Sequence, residues 1–486
     1  MSRYRSRSET GKEAKPLRLT FQPAQQRAFF SRATEQLYGG AAGGGKSHFM
    51  RASFIAWADM IPGLQLALFR RTYGDLMANH MDGPNSFPEM LAPKIATGEV
   101  KITKNEILFV PTGSVIKLLH CHLERHRLNY QGQEFHVLGI DEATHFTETI
   151  YRFLRGRVRM TGLNVPDHLK EMFPRIVLSA NPGGVGHLWV KRTFITPQKP
   201  YEIVQQDPEG DEGGFKRQFV PALLKDNKAL MKSDPKYRAR LLGLGDPILV
   251  RAMLEGDWNI VAGSMFGDVW RHEEHTCDPF EIPVEWKMWR GGDDGFSPAH
   301  AAVLWFAEDP HTGTIYVVDE LYKTGMRPEV FAERTLARDR RIKRMFPDGT
   351  VEDNKDKLAG IIDPSAFGDT GQQSDITRGS ALNKLGCAWK PAEKWPGSRV
   401  AGCLHVQRML GPNEKDINPR TGKPRPRLRF FRNCLNAIET IPALPRDPNN
   451  PEDVDTDAED HLYDALRYGL QWKTYGGFRK AKVKGL

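Results

Sequence analysis

Short apolar runs separated by polar turns mark the first half of the chain. Several of these runs have the length of buried strands, and a longer run after a glycine-rich loop has the length of a helix. The strands are predicted at residues 64–69, 135–140 and 175–179, a hairpin at 107–119 and the helix at 48–60. This pattern predicts an α/β domain whose sheet is mostly parallel.

The pattern changes near Trp286. From there the order is strand, acidic turn, strand, strand, with the acidic turn at Asp293-Asp294 and the later strands at residues 301–306 and 314–319. A further short strand at 359–362 ends at Asp363, and residues 459–468 favour a helix. This order predicts a second α/β domain built on a mixed sheet.

Length and charge support this division. A chain of 486 residues is too long for one ordinary core. Its formal charge of +9 fits a polyanionic partner. Apolar runs too short for a bilayer predict an intracellular protein without membrane association, and scattered cysteines predict free thiols. The predicted parts are a basic flexible arm at 1–18, a first domain at 19–262, a second domain at 263–474 and a basic tail at 475–486.

A glycine-rich loop at residues 40–47 matches the phosphate-loop pattern G-x-x-x-x-G-K-S. Such a loop needs glycines because it turns successive backbone N–H groups toward phosphate oxygens. The alternative is a flexible turn, and the preceding strand is weak because only Leu37 and Tyr38 are apolar. In this pattern the lysine reaches the β and γ phosphates, and the serine ligates Mg²⁺. The residues predicted to bind nucleotide here are Gly40, Gly43, Gly44, Gly45, Lys46 and Ser47.

A second nucleotide-binding signal lies at the end of the strand at 135–140, where Asp141-Glu142 forms a Walker B arrangement. Ligands of parallel α/β sheets bind at the carboxyl ends of the strands. Asp141 is therefore predicted to hold the Mg²⁺ shell, and Glu142 to polarise the water that attacks the γ phosphate. Without the phosphate loop, the same acidic pair would be a common strand ending.

Other polar residues extend this predicted site. Asn181 follows the strand at 175–179 and is predicted to sense the γ phosphate, although a simple Asn-Pro-Gly turn is the alternative. Gln25 is predicted to pair with adenine N6–H and N7, the alternative being an incidental glutamine at the start of a surface helix. An arginine is expected to stabilise charge on the transferring phosphoryl group, and the sequence does not choose among the candidates. The candidates are Arg70, Arg71, Arg155, Arg157 and Arg159.

Acidic residues in the second half predict a metal-dependent nuclease. Asp293 and Asp363 lie at strand ends, and Asp460 and Asp464 lie one helical turn apart. Acidic groups from two strands and one helix can hold two divalent ions about 4 Å apart, which suits phosphodiester hydrolysis. Each aspartate also has a structural alternative as a turn, strand stop or helix-start charge. Together they resemble the ribonuclease H-like layout.

Six segments in order resemble the large terminase subunit of tailed bacteriophages: GGAAGGGKSH, VLGIDEATHF, SANPGGVGHLWVKRTF, LEGDWNIVAGSMF, RGGDDGFSPA and DHLYDALRYGL. The resemblance implies an N-terminal phosphate-loop ATPase domain and a C-terminal ribonuclease H-like nuclease domain. It also implies that residues 179–181 couple hydrolysis to movement. Asp293 and Asp363 match the first two nuclease ligands, although Asp294 leaves the choice within that pair open. The third ligand is Asp460 or Asp464, with Asp460 favoured.

The resemblance further implies a function and partners. A terminase of this kind would use ATP with Mg²⁺, and two Mg²⁺ or Mn²⁺ ions in the nuclease. It would drive double-stranded DNA into a procapsid and cut concatemeric DNA. Expected partners are DNA, the portal protein, the small terminase subunit and further copies of the chain in a ring. The expected location is the host cell cytoplasm.

Two other functions fit parts of the sequence. One is a helicase-like DNA translocase whose second half only binds or docks, which predicts no DNA cleavage. The other is a phosphate-loop kinase, which predicts phosphate transfer to a small acceptor without stimulation by DNA or portal. Loss of cleavage in an Asp363 variant that still hydrolyses ATP would separate the terminase hypothesis from both.

Overall fold

The computed structural model describes residues 18–210, 212–244, 247–258, 263–295, 300–368 and 377–472. They form two compact units, one within Met1–Ala262 and the other within Gly263–Leu486. Except for Arg18, the predicted basic arm lies outside the described residues, as does the whole predicted tail at 475–486. No helix in the described ranges is long and apolar enough to cross a membrane.

The first unit is built on a nine-stranded sheet with the order β3-β4-β5-β2-β6-β7-β1-β9-β8. The six strands from β5 to β9 in this order are parallel, and antiparallel strands lie at both edges. The predicted hairpin at 107–119 forms β4 and β5. The strands are β1 (Glu35–Gly40), β2 (Gln65–Arg70), β3 (Val100–Ile102), β4 (Glu106–Phe109), β5 (Ser114–His120), β6 (Val137–Ile140), β7 (Arg175–Ala180), β8 (Ile203–Gln205) and β9 (Lys216–Ala222).

Helices connect these strands and pack against the sheet. The longest one, α2, buries Phe49, Phe54 and Trp57, as its apolar sequence predicts. The helices of this unit are α1 (Pro23–Phe29), α2 (Lys46–Met60), α3 (Tyr73–His80), α4 (Phe87–Ala96), α5 (Glu148–Arg155), α6 (His187–Val190), α7 (Lys228–Ser233), α8 (Tyr237–Leu242) and α9 (Pro247–Glu255).

Strand β1 lies between β7 and β9 and is fully buried although its sequence is polar. The carboxylate of Glu35 accepts hydrogen bonds from the guanidinium of Arg155, from Arg217 Nε at 2.6 Å and from the Tyr151 hydroxyl at 3.1 Å. Gln36 donates to Gln218 Oε1 on the neighbouring strand β9 at 2.8 Å. Buried polar groups are tolerated when they are paired in this way. These partners explain why so weak an apolar signal forms the strand before the phosphate loop.

The second unit is built on a seven-stranded mixed sheet with the order β10-β21-β14-β13-β12-β17-β18. Strands β12, β13 and β14 are antiparallel neighbours, whereas β12, β17 and β18 run parallel. Two small sheets accompany it. The strands are β10 (Thr276–Cys277), β11 (Ile282–Pro283), β12 (Lys287–Asp294), β13 (His300–Glu308), β14 (Ile315–Thr324), β15 (Lys343–Met345), β16 (Val351–Asp353), β17 (Gly360–Ile362), β18 (Trp389–Pro391), β19 (Pro412–Ile417), β20 (Pro424–Pro426) and β21 (Leu428–Phe431).

The last helix of this unit, α15, packs directly on β12. A Cβ atom at Gly291 would lie 2.2 Å from the Ala465 carbonyl oxygen, so only glycine permits this approach. The close packing fixes the acidic start of the helix relative to the strand that carries Asp293. The helices are α10 (His272–His275), α11 (Pro328–Arg341), α12 (Arg378–Lys384), α13 (Ser398–Leu410), α14 (Leu435–Thr440) and α15 (His461–Leu470).

The predicted fold class is confirmed: the chain is α/β, with a mostly parallel sheet in the first unit and a mixed sheet in the second. One local prediction was wrong. Asp293 and Asp294 lie within β12, opposite Ala302 and Ala301 of β13, and not in a turn. Pairing with the apolar strand β13 extends β12 through both acidic residues.

Candidate functional site

The glycine-rich loop connects β1 to α2. Strand β1 ends at Gly40 and helix α2 begins at Lys46. A Cβ atom at Gly44 would lie 2.5 Å from the Ala222 carbonyl oxygen. The remaining three glycines have a positive φ, which side chains disfavour. These are Gly40 (135°), Gly43 (74°) and Gly45 (77°).

Lys46 is the first residue of α2, and its ammonium group reaches back into the loop. Its ammonium group donates hydrogen bonds to the Ala41 carbonyl oxygen at 2.7 Å and to Asn181 Oδ1 at 2.6 Å. Burial lowers the pKa of Lys46, while the charges of Glu142 and Asp141 act in the opposite direction. The contact with Asn181 joins the phosphate loop to the segment that follows β7.

Asp141 is buried at the carboxyl end of β6. It accepts hydrogen bonds from Arg70 Nε at 3.0 Å, from His80 Nε2 at 2.9 Å and from the Ser179 hydroxyl. Burial alone would raise the pKa of Asp141, but the hydrogen bond from His80 and the charge of Arg70 outweigh it and lower the pKa. Asp141 is therefore ionised at neutral pH.

His80 was not predicted as a site residue. Its ring is buried, which lowers its pKa despite the neighbouring Asp141. Arg51 Nη1 lies 3.3 Å from Nδ1, so Nδ1 accepts a hydrogen bond from Arg51. The ring proton is therefore on Nε2, which donates a hydrogen bond to Asp141. A single histidine at the end of a polar helix gives no sequence signal of this role.

Glu142 has a left-handed backbone with a φ of 55°, which is unusual for a residue other than glycine. Its carboxylate lies 3.9 Å from Arg70 Nη2. Such a conformation often occurs at functional sites. Glu142, Lys46, Ser47 and Asn181 line one cavity of about 390 Å³.

Gln25 lies beneath the loop. Its amide nitrogen donates to the Gly45 carbonyl oxygen at 3.0 Å, and its amide oxygen accepts from the Gln22 backbone N–H at 2.8 Å. Contact with adenine would require both bonds to change, and this contact stays a prediction.

A segment near the end of the first unit covers the loop, and the sequence did not predict it. Asn227 donates to the Gly43 carbonyl oxygen at 2.7 Å. Leu230 and Tyr237 line the cavity with it. These residues carry no nucleotide-binding pattern, so only the tertiary structure identifies them.

The arginines predicted as candidate cations have different surroundings. Arg70 is bonded to Asp141, and Arg155 to Glu35. Arg71 donates to the His145 carbonyl oxygen at 2.8 Å, and Arg159 pairs with Glu134. Arg157 lies over the Phe153 ring at 5.1 Å. The choice among them stays open.

His187 holds the segment that follows Asn181. Its Nδ1 accepts from the Gly183 backbone N–H at 3.0 Å, and its Nε2 lies 3.1 Å from the Trp258 carbonyl oxygen. Burial is the largest cause that lowers the pKa of His187, to about 4. The ring is therefore neutral in the folded protein at neutral pH.

We expect this histidine to make stability depend on pH. Its folded pKa lies below the ordinary value of 6.5, so its contribution is complete above pH 6.5 and is lost as the pH falls toward 4. The loss should reach up to about 3 kcal/mol. His187→Gln supplies one hydrogen-bond acceptor and one donor but does not titrate. Urea unfolding at several pH values should therefore show a larger decrease in the free energy of unfolding toward pH 4 in the wild type than in the variant. Equal decreases in the two proteins would contradict this role of His187.

In the second unit, two predicted aspartates lie side by side at the carboxyl ends of parallel strands. Gly292 of β12 is in register with Ile362 of β17. Asp293 directly follows Gly292, and Asp363 directly follows Ile362. Asp460 is the N-cap residue of α15, and Asp464 lies in its first turn. The fold thus brings together all four aspartates that the sequence analysis identified.

These aspartates contact protein side chains that the sequence did not predict. Asp293 Oδ2 lies 2.8 Å from His461 Nδ1, and the Tyr468 hydroxyl donates to Asp363. Arg399 contacts Asp460 and Asp464 at 3.4 and 3.5 Å, and it also contacts Asp453 at 2.9 Å. The neighbouring Asp294 contacts Arg378 instead.

The aspartates also influence one another electrostatically. Burial raises the pKa of Asp293, and the charges of Asp464 and Asp363 raise it further, whereas His461 lowers it. Burial and the charge of Asp464 raise the pKa of Asp460 to about 7. Carboxylates that repel one another in a buried site attract cations, which His461 and Arg399 supply here.

Oxygen donors of this kind are the ligands that Mg²⁺ and Mn²⁺ prefer, so the chemistry of the site fits these ions. Yet nowhere in the described chain are three His, Cys, Asp or Glu side chains arranged to hold one metal ion. Metal binding would therefore require side chains to rearrange, beginning with the contacts from His461 and Arg399.

The fold and these side chains define a two-unit α/β protein with a phosphate loop in one unit and an acidic cluster in the other. Solved structures of large terminases from several phages are similar to it. The large terminase of a thermophilic bacteriophage, in complex with ADP, is 16% identical, with 94% of this chain and 100% of that chain covered and a TM-score of 0.39. The bacteriophage HK97 large terminase is 12% identical, with 94% of this chain and 95% of that chain covered and a TM-score of 0.45.

A solved nuclease domain is also similar to part of the chain. The Mn-bound nuclease domain of the bacteriophage SPP1 large terminase is 15% identical, with 41% of this chain and 97% of that chain covered and a TM-score of 0.28. No known family profile and no curated protein sequence matches this chain.

Proposed function

We propose that the first unit hydrolyses ATP. The observation that carries this proposal is the contact of Lys46 with Asn181 in a cavity that Glu142 also lines. In the proposed reaction Lys46 binds the β and γ phosphates, and Glu142 orients the attacking water. Ser47 and Asp141 would hold Mg²⁺, which neutralises charge on the phosphates.

We propose that hydrolysis is transmitted through Asn181. Lys46 would exchange the Asn181 side chain for a phosphate oxygen when nucleotide binds, and would return to it after phosphate release. The backbone oxygen of Asn181 also accepts a hydrogen bond from the Thr144 hydroxyl at 3.1 Å, close to the Walker B residues. A change at Asn181 would therefore reach the segment held by His187.

We propose that the second unit is an endonuclease. The observation behind this proposal is the convergence of Asp293 and Asp363 from neighbouring parallel strands on the acidic start of α15. Asp293, Asp363 and one or both of Asp460 and Asp464 would hold two divalent cations. Such ions lower the pKa of bound water and stabilise the leaving oxygen.

Together these activities support a viral DNA-packaging function: ATP hydrolysis would move double-stranded DNA into a procapsid, and the endonuclease would cut concatemeric DNA. The proposal rests on the order of the motifs in the sequence and on two separate acidic sites within one chain. The positive charge of +9 suits sequence-independent contacts with the DNA backbone. The proposed partners are the portal protein, the small terminase subunit and a ring of copies of the chain.

The purified chain tests this proposal in two assays. We expect Mg²⁺-dependent release of phosphate from ATP, and Mn²⁺- or Mg²⁺-dependent conversion of supercoiled plasmid to linear DNA. Chelation with EDTA should stop both reactions. ATP hydrolysis without any cleavage, with portal and small subunit also present, would favour a translocase without nuclease activity.

A further inference from the structure

The loop that follows β18 lies beside the acidic cluster. Strand β18 pairs in parallel with β17, and the Ala392 backbone N–H donates to the Ile362 carbonyl oxygen at 2.8 Å. The next residue after Ile362 is Asp363. The loop at residues 392–397 therefore leaves the sheet at the edge where Asp363 lies.

Hydrogen bonds hold this loop in place. The Gln471 side chain accepts from the Glu393 backbone N–H at 3.2 Å and donates to the Glu393 carbonyl oxygen at 3.3 Å. The Ser398 backbone N–H donates to the Trp395 carbonyl oxygen at 2.9 Å, and Gly397 has a φ of 83°. A loop anchored at both ends presents its side chains in a defined position.

Two side chains of this loop have the chemistry of a nucleic-acid contact. Lys394 Nζ lies 4.0 Å from Asp363 Oδ2, and the lysine side chain is 55% exposed. Trp395, the next residue, is 49% exposed. Stacking of bases on exposed aromatic rings, combined with cations along the backbone, is how proteins bind single strands without sequence preference.

We propose that Lys394 and Trp395 form a substrate-binding subsite of the nuclease. In this subsite Lys394 binds a DNA backbone phosphate next to Asp363, and Trp395 stacks on an adjacent base that has left the duplex stack. This inference rests on the proposed nuclease function. A DNA strand is the occupant because its phosphates suit the lysine and each of its bases has a π face for the tryptophan. The subsite favours substrates with unpaired bases near the cut.

Cleavage kinetics of the full chain test this subsite with two duplexes of equal length, one fully paired and one with a short mismatched segment. We expect the wild type to prefer the mismatched duplex. Trp395→Ala should raise the KM for that duplex about tenfold, with little change in kcat, and should abolish the preference. Trp395→Phe should restore the wild-type KM and the preference for the mismatched duplex. Leu435→Ala, which alters another exposed apolar residue of this unit, 69% exposed, is the matched control.

Salt dependence tests the lysine separately. Lys394→Gln should reduce the slope of log KM against log salt concentration by about 1, because one phosphate contact is lost. Trp395→Ala should leave that slope unchanged. Lys343→Gln is the control, since Lys343 is similarly exposed, at 57%, and is paired with Asp353. ATP hydrolysis measured on each variant verifies that the first unit is folded, and cleavage at saturating DNA verifies that the second unit is folded.

The outcomes separate this inference from the function on which it rests. An active wild-type nuclease whose KM and mismatch preference survive Trp395→Ala would overturn the stacking contact. An unchanged salt slope in Lys394→Gln would overturn the phosphate contact. A wild-type chain without any cleavage would instead overturn the proposed nuclease function.

Discussion

Replacing Lys46 by alanine is expected to lower ATP turnover by about 10²- to 10³-fold, the usual effect of removing one group that stabilises transition-state charge. The ammonium group of Lys46 is held between Ala41 and Asn181 in the candidate nucleotide cavity. Alanine leaves the loop glycines and the acidic pair Asp141-Glu142 in place. Phosphate release measured at saturating ATP is the readout, and DNA cleavage by the second unit should persist.

Loss of activity in this variant should not come from unfolding. Burial lowers the pKa of Lys46, so its charge is unfavourable in the folded state without nucleotide. The free energy of unfolding, measured for the variant and the wild type, checks that the variant is folded. Ser53→Ala, in the same helix and also buried, is a suitable control and should retain full activity. A Lys46→Ala protein with near wild-type turnover would exclude the phosphate-loop assignment.

Replacing Asp363 by asparagine is expected to reduce DNA cleavage at least about a hundredfold while ATP hydrolysis continues. The substitution removes one negative charge that would hold a divalent cation, and such a cation contributes several kcal/mol to the reaction. Asparagine has nearly the same shape, and its side-chain oxygen can still accept the hydrogen bond from Tyr468. Plasmid cleavage with Mn²⁺ measures the effect.

The matched control for this variant is Asp353→Asn, an exposed aspartate of the same unit whose partner is Lys343. It should cut DNA at the wild-type rate. Asp363→Ala should lose cleavage as well. If either Asp363 variant cut DNA as fast as the wild type, the nuclease assignment would be removed.

The candidate nucleotide cavity was predictable from sequence only where its residues follow local rules. The glycines and Lys46 are fixed by the turn between a strand and a helix, and Asp141 by the end of an apolar strand. Asn227 and Tyr237 reach the loop from a distant segment without any motif. His80 contacts Asp141 only because α3 packs against β2, the strand next to β6.

The polar strand β1 was only weakly predicted although it is fully buried. Its apolar pattern was weak because one buried charge, on Glu35, and one buried amide, on Gln36, replace apolar residues in it. Glu35 is neutralised by Arg155 and Arg217, which lie far along the chain. Such compensation between distant residues cannot be recognised from the local periodicity on which strand prediction depends.

In the second unit the sequence indicated the strand ends but not the surroundings of the acidic residues. Asp363 could be predicted because it directly follows an apolar run. Arg399 and Lys394 could not, since single basic residues in a chain with 69 lysines and arginines carry no signal. Asp293 was assigned to a turn, and only its pairing with β13 reveals that it lies in a strand.

The central claim is that one chain carries two separate active sites, and a crystal structure with Mn²⁺ and a non-hydrolysable ATP analogue tests it most directly. We predict phosphate density at Lys46 and anomalous manganese peaks beside Asp293 and Asp363, with the contacts from His461 or Arg399 rearranged. Manganese only at the nucleotide, with the acidic cluster still bonded to His461 and Arg399 at saturating Mn²⁺, would contradict the claim.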